Sequence, residues 1–266
     1  MCGNAQTGQV TISILMQSIK MIETAKMTNP RHNRLIGTLP EKDYSRLLPF
    51  LQLVSLEMGQ ELYVMGQRVE HIYFPTTALI SIAKDLTDGL GVDTAIVGKN
   101  SAVGLLLLDT DVSINRAHVT SSGFAYRINR KVLLNEIRRG EAMFEIWMAA
   151  TRYLANQLSQ NVVCNRFHSV EQRLARWLLT NADRLETNLI PVTHGYLSSS
   201  IGVRRETVSL TGMKMNDLGV VRCTRGSTEV LDRERLEAMS CECYFTLRKL
   251  SPFRKDDEFG MAAQVF

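Results

Sequence analysis

The segment that most constrains this chain runs from Glu141 to Phe167, with apolar side chains at Phe144, Trp147, Met148, Leu154, Leu158 and Val162. Spacings of three to four residues keep such a stripe on one face of an α-helix. At 1.5 Å per residue the helix is about 40 Å long, more than one small domain needs for its own cover. Two readings follow: a helix packed only on the preceding domain, or one shared with the same helix of a second chain. The length favours the shared helix, with Phe144, Trp147, Met148, Thr151, Leu154, Leu158 and Val162 as dimerisation residues. Near its end the stripe turns polar at Asn161 and Asn165, a device that sets register at a cost in stability.

On either side of that helix the pattern changes. From Pro40 a short helix through Leu48 is followed by runs with strand chemistry: Leu53–Leu56, Glu61–Val64, His71–Phe74, Leu79–Lys84, Val92–Val97, Ala117–Thr120 and Ala125–Ile128. Asp88-Gly89 is a hairpin signal between two of them. Many short strands divided by Gly, Pro and Asp turns predict an antiparallel β-roll. A helix over Arg130–Arg139 follows it. After the long helix, Ser169 and Gln172 form a capping-box pattern ahead of Val170, Leu174, Trp177 and Leu178. The fold class is therefore α+β. The expected divisions are an N-terminal extension (1–30) holding a weak amphipathic piece over Ile12–Met27, a β-roll (31–140), a dimerisation helix (141–167), a compact, largely helical domain (168–244) and a tail (245–266). Met16, Met21 and Met27 leave a later translation start open.

Composition narrows the function classes. The 266 residues suit two domains, and 45% hydrophobic with 22% charged residues is ordinary for a folded globular chain. The longest nearly unbroken apolar run, Ala102–Leu108, is far short of the roughly 20 residues that cross a bilayer, and no basic residue precedes an apolar stretch at the N-terminus as a secretory signal requires. A cytoplasmic protein is expected. Five cysteines, Cys2, Cys164, Cys223, Cys241 and Cys243, make no paired framework and no CxxC, which suits reduced thiols. Cys241-Glu242-Cys243 is short for a chelate without further ligands, so no metal is expected there, and a structural role and a redox response both stay open for the pair. The histidines form no HxH or HExxH pair, and GxSxG, P-loop and GxGxxG motifs are missing. An enzyme is not expected.

Residues 192–221, VTHGYLSSSIGVRRETVSLTGMKMNDLGVV, carry the chemistry. Thr193 caps a first helix with Leu197 and Ile201 on one face, Gly202 permits a tight turn, and Val203 fills the angle. A second helix runs from Arg204 to Leu218, with Val208 and Met215 inward and Gly219 as its stop. This is a helix-turn-helix pattern. Positive charge opposes the macrodipole at a helix start, so Arg204 and Arg205 there call for another reason. Guanidinium pairs with guanine O6 and N7, carboxylate accepts from cytosine N4, and recognition helices present their first residues to base edges. Val220–Arg222 and Glu229–Leu231 can pair around Arg225-Gly226 as a wing with a basic tip. Gly195 and Gly212 lie inside the two helices, each costing about 0.8–1.0 kcal/mol of propensity, which leaves the motif marginal without DNA.

HIYFP (71–75), CNRFHSVEQRLARWLL (164–179), IGVRRETV (201–208), LGVVRCTRG (218–226) and LDRERLE (231–237) occur in one order. The chain thereby resembles the Crp/Fnr regulators over about Asn33 to Tyr244. The resemblance implies a cyclic-nucleotide-type β-roll, a dimerisation helix and a winged helix-turn-helix. It also implies a homodimer that regulates transcription on near-palindromic double-stranded DNA, with RNA polymerase as a partner if it activates. By position, base reading falls on Arg205, Glu206 and, in some branches, Ser209, and phosphate contact on Arg204 and Thr207; Thr193 and Arg225 complete the expected DNA contacts. Leu210 stands where the cyclic-AMP branch has another arginine, so the operator should differ. Ala102-Val103 replace the acid of that branch's nucleotide frame and only Arg116 remains, one position displaced, so a cyclic-AMP response is not expected and the effector is unknown. Cys2 alone does not make the N-terminal iron–sulfur set, and His71 and His118 are isolated for haem ligation. No cofactor is expected. A sensor or scaffold working through partner proteins, with weakened DNA binding, is the competing reading.

Overall fold

The computed structural model describes residues 29–87, 91–107 and 110–253. The expected helical piece over Ile12–Met27, the Asp88-Gly89 turn and most of the tail lie outside these residues.

The first domain opens with Asn33, fully buried. Its Oδ1 accepts from the Ile36 N–H, capping α1 (Arg34–Gly37), while its Nδ2 donates to the carbonyls of Pro75 and Ser101, each at 2.9 Å. One amide thus ties the chain entry to two later segments. Pro40, with its fixed φ and no N–H to lose, precedes α2 (Glu41–Leu47). Seven strands follow: β1 Gln52–Leu56, β2 Glu61–Tyr63, β3 His71–Pro75, β4 Leu79–Asp85, β5 Gly91–Val97, β6 Arg116–Ser121 and β7 Gly123–Asn129. They form two antiparallel sheets, β1-β7-β3 and β2-β6-β4-β5. Alternation in β3 sends Ile72 and Phe74 inward, where they meet Ile80, Ala95, Val119 and Ile128. The α+β class and the antiparallel roll are as expected.

Helix α3 (Arg130–Arg139), capped by Asn129, leads into α4 (Glu141–Phe167). The expected single stripe of α4 divides into two. Met143, Trp147, Ala150 and Leu154 are buried in the roll's core, and the Trp147 indole N–H donates to the Leu105 carbonyl at 3.3 Å. Trp147 and Leu154 therefore cannot serve as dimerisation residues. Phe144, Met148 and Val162 face outward, Phe144 51% and Val162 71% exposed, with Thr151 and Leu158 half-buried beside them. The two faces lie less than half a turn apart, so a stripe read by spacing alone merges them. Asn161 is also not a register residue: its side chain donates to the Thr94 carbonyl at 2.6 Å and accepts from Arg176 at 2.7 Å.

Beyond α4 a second core gathers Leu174, Trp177, Leu178, Ile190, Leu197, Val208, Met215, Val220 and Leu236. Helix α5 (Val170–Leu185) starts in the expected Ser169–Gln172 capping box. Strand β8 (Leu189–Pro191) comes next, then helices α6 (His194–Ile201) and α7 (Arg205–Asp217), β9 (Val221–Thr224), β10 (Ser227–Val230), α8 (Arg233–Met239) and α9 (Glu242–Leu250). The sheet here has three strands, not the expected two, because β8 pairs with β10. With three residues and a terminal proline, β8 carries little strand signal. Helix α9 continues past Tyr244, where the sequence reading ended the domain, and buries both Tyr244 and Leu247. No helix among the described residues is long and apolar enough to cross a membrane.

Candidate nucleic-acid interface

Thr193 caps α6 by accepting from the Tyr196 N–H at 3.2 Å. Gly202 ends that helix at φ 63°, a left-handed conformation that glycine enters without penalty. Arg204 then acts as the N-cap of α7, so the second helix begins at Arg205, one residue later than the sequence reading placed it. Val208 and Met215 are fully buried and fix the inner face. The opposite face is open: Arg204, Arg205 and Glu206 are exposed, as are Leu210 and Met213 further along. Thr207 and Ser209 are half-buried at its border. The Ser209 hydroxyl lies 3.1 Å from Nδ1 of His194, so part of its bonding capacity is spent within the fold.

Strands β9 and β10 pair Val221 with Val230 through Thr224 with Ser227, leaving Arg225 and Gly226 at the tip. Gly226 takes φ 89°, and Arg225 is exposed. The hairpin is a wing, pinned by an Arg222–Glu229 ion pair at 2.9 Å. Helix start and wing tip together offer three exposed guanidinium groups on the C-terminal domain.

Residues 172–239 match the family model described as a Crp-like helix-turn-helix domain. The C-terminal region of this chain is a Crp-like helix-turn-helix domain. FixK2 from Bradyrhizobium japonicum shares the fold at a TM-score of 0.64 and 17% identity, over 72% of this chain and 98% of that one. A CRP-family transcriptional regulator from Thermus thermophilus is similar at 0.60 and 15%, over 70% and 96%. The c-di-GMP-responsive global regulator CLP of Xanthomonas campestris is similar at 0.60 and 13%, over 72% and 99%. No curated protein matches the chain in sequence.

The residues compared above with a cyclic-nucleotide frame are engaged within the roll itself. Ala102 and Val103 are fully buried in the roll. Arg116 gives Nε and Nη2 to the two carboxylate oxygens of Asp85, at 2.8 and 3.0 Å. Those hydrogen bonds hold the Asp85 carboxyl below its usual range. The one arginine left from the frame is therefore already committed.

Two arrangements were not legible in the sequence. First, α6 docks on β5 of the roll. The Tyr196 hydroxyl donates to Asp93 Oδ2 at 2.5 Å, and its ring meets Trp177 and His118 edge-on at 6.2 and 6.0 Å. Burial, with Asp93 beside it, raises the Tyr196 pKa well above the ordinary tyrosine value. Burial also depresses the His118 pKa, against the pull of Asp93 3.9 Å away. Neither signal is periodic, because the partners are about a hundred residues apart. Beside this contact lies a cavity of about 340 Å³ between roll, α4 and α5, with Arg173, Arg176 and Arg184 among its walls. Second, the thiols of Cys241 and Cys243 do not stand alone. The end of α4 brings Cys164 and His168 to them, with the four ligand atoms within 4.8 Å of one another. The CEC pair, short for a chelate by itself, is thus joined by two further donor atoms from the end of α4.

Proposed function

We propose that this chain is a sequence-specific transcription regulator of the Crp/Fnr type that binds double-stranded DNA as a homodimer. The observation that carries the reading is the open face of α7, where Arg204, Arg205 and Glu206 are exposed at the helix start, with Arg225 exposed at the wing tip of the same domain. Arg205 and Glu206 have the donor and acceptor chemistry for guanine and cytosine edges, and the exposed Leu210 suits a thymine methyl. Arg204, Thr207, Thr193 and Arg225 are assigned to backbone contacts that fix register.

The dimer is assigned to the outer face of α4. Phe144, Met148, Thr151, Leu158 and Val162 fall at steps of four and three, with Ala155 filling the gap between Thr151 and Leu158. That is the heptad spacing of two helices packed along a seam. A two-fold dimer places two α7 helices in successive major grooves, about one DNA turn apart. The Arg116–Asp85 pair supports an effector other than cyclic AMP, since it occupies the group that would face a phosphate. RNA polymerase is a partner if the protein activates, and the setting is the cytoplasm.

Duplex binding measured across salt concentrations tests the reading. Each phosphate neutralised adds about −0.9 to the slope of log affinity against log salt, so a steep negative slope is expected. Affinity that is absent, or flat with salt, would instead favour a sensor acting through protein partners.

A further inference from the structure

We propose that Cys164, His168, Cys241 and Cys243 bind one zinc ion in a tetrahedral set of three thiolates and one imidazole, joining the end of α4 to the start of α9. The local folds bring the ligands together. Cys164 and His168 are four residues apart, on one face of the last turn of α4, and the His168 N–H closes that turn onto the Cys164 carbonyl at 3.1 Å. Cys241 is the N-cap of α9 and Cys243 lies in its first turn. All three cysteines are buried, with His168 at the rim.

The distances fit one ion. Tetrahedral zinc with sulfur at about 2.3 Å and nitrogen at about 2.0–2.1 Å sets sulfurs about 3.8 Å apart and sulfur and nitrogen about 3.6 Å apart. Here Cys164 Sγ and Cys241 Sγ are 3.6 Å apart, and Cys243 Sγ is 3.4 Å from His168 Nδ1. A disulfide would need sulfurs at about 2.05 Å, and the ligands of a multi-iron cluster stand farther apart than those around one ion. Three thiolates and an imidazole are the donors of a closed, structural zinc site, with no place for a bound water.

The surroundings match the same chemistry. His168 presents Nδ1 to the thiols, and its Nε2 lies 3.2 Å from the carboxylate of Glu242, the residue between the two cysteines. A carboxylate behind a ligating histidine fixes the ring and its tautomer. Gln160 donates to Cys243 Sγ at 3.0 Å. Three thiolates on a divalent ion leave one negative charge, and Arg176 and Arg173 of α5 both interact electrostatically with Cys164. Arg173 also donates to the Ile201 carbonyl, at the end of the first helix of the helix-turn-helix. The ion would therefore sit at the joint between the long helix and the DNA-binding domain and hold the angle between them.

The test uses the full chain purified under reducing conditions without added chelator. Elemental analysis should give one zinc per chain. Replacement by Co²⁺ should give the intense visible bands of tetrahedral cobalt and a near-ultraviolet thiolate charge-transfer band. Chelation should lower the melting temperature. His168→Gln and Cys243→Ser should lose the metal on gel filtration. Glu242→Gln, a surface change that leaves the fold intact, should weaken zinc about 10–100-fold in competition with a chromophoric chelator. Four outcomes would overturn the assignment: a folded, fully thiol-titratable chain without metal, octahedral cobalt lacking the charge-transfer band, an iron–sulfur absorption spectrum, or a Cys164–Cys241 disulfide in the native protein.

Discussion

At the scale of single residues, the exposed arginines divide by what each can touch. Arg205 lies in the first turn of α7 and Arg225 at the wing tip. Arg205→Ala should cost about 1–3 kcal/mol of operator affinity and relax base preference at one position, whereas Arg225→Ala should weaken all sequences alike and flatten the salt slope by about one phosphate's share. Binding measured on a panel of single-base operator variants separates the two. Gly212 makes a prediction of the opposite sign. A Cβ there would stand 3.5 Å from Cys223 Sγ and 3.9 Å from His194 Nε2, both ordinary contacts. Gly212→Ala should therefore raise stability by about 0.8–1.0 kcal/mol, read as a higher denaturation midpoint. No gain would mean that the glycine admits a motion that alanine forbids. The sequence exposed these residues because helix caps, glycine turns and charges at a helix start are local rules. It concealed Cys164 with Cys241, and Tyr196 with Asp93, because no local rule pairs residues 77 or 103 positions apart.

At the scale of elements, α4 shows what periodicity can and cannot decide. Its limits were readable from the sequence, but which apolar residues go inward depends on the roll beneath it. The two faces give contrasting outcomes. Val162→Glu should leave the monomer folded and, through its charge on the seam, shift sedimentation toward the monomer. Trp147→Ala should destabilise the roll itself by about 3–5 kcal/mol. An unchanged dimer in the first variant would move the interface elsewhere. The docking of α6 on β5 carries a pH signature. Burial keeps His118 below the usual histidine value of 6.5 despite Asp93, Asp85 and Glu61, with Arg116 adding to the depression. A histidine whose folded pKa is depressed contributes stability that is whole above its unfolded pKa and lost as pH falls toward the folded one. The denaturation midpoint should therefore drop between about pH 7.5 and about pH 5.5, and His118→Gln should reduce that drop. An equal drop in the variant would place the acid sensitivity at another group.

At the scale of the molecule, the charge distribution and the fold agree. Of the net +4, the stretch from Arg166 to Arg235 holds 11 basic against 8 acidic residues, while the roll is almost neutral. The excess falls on the domain that carries α7 and the wing, and a local basic field is what draws a protein to a polyanion. In the proposed dimer, two copies of this surface, set by α4, read a symmetric site. Selection of bound duplexes from a random pool by the full chain tests it most directly. The expected result is an enriched near-palindrome with half-site centres about 10 bp apart, which Arg205→Ala binds with one position relaxed in each half. A pool that enriches no sequence, or only a single half-site without symmetry, would contradict it.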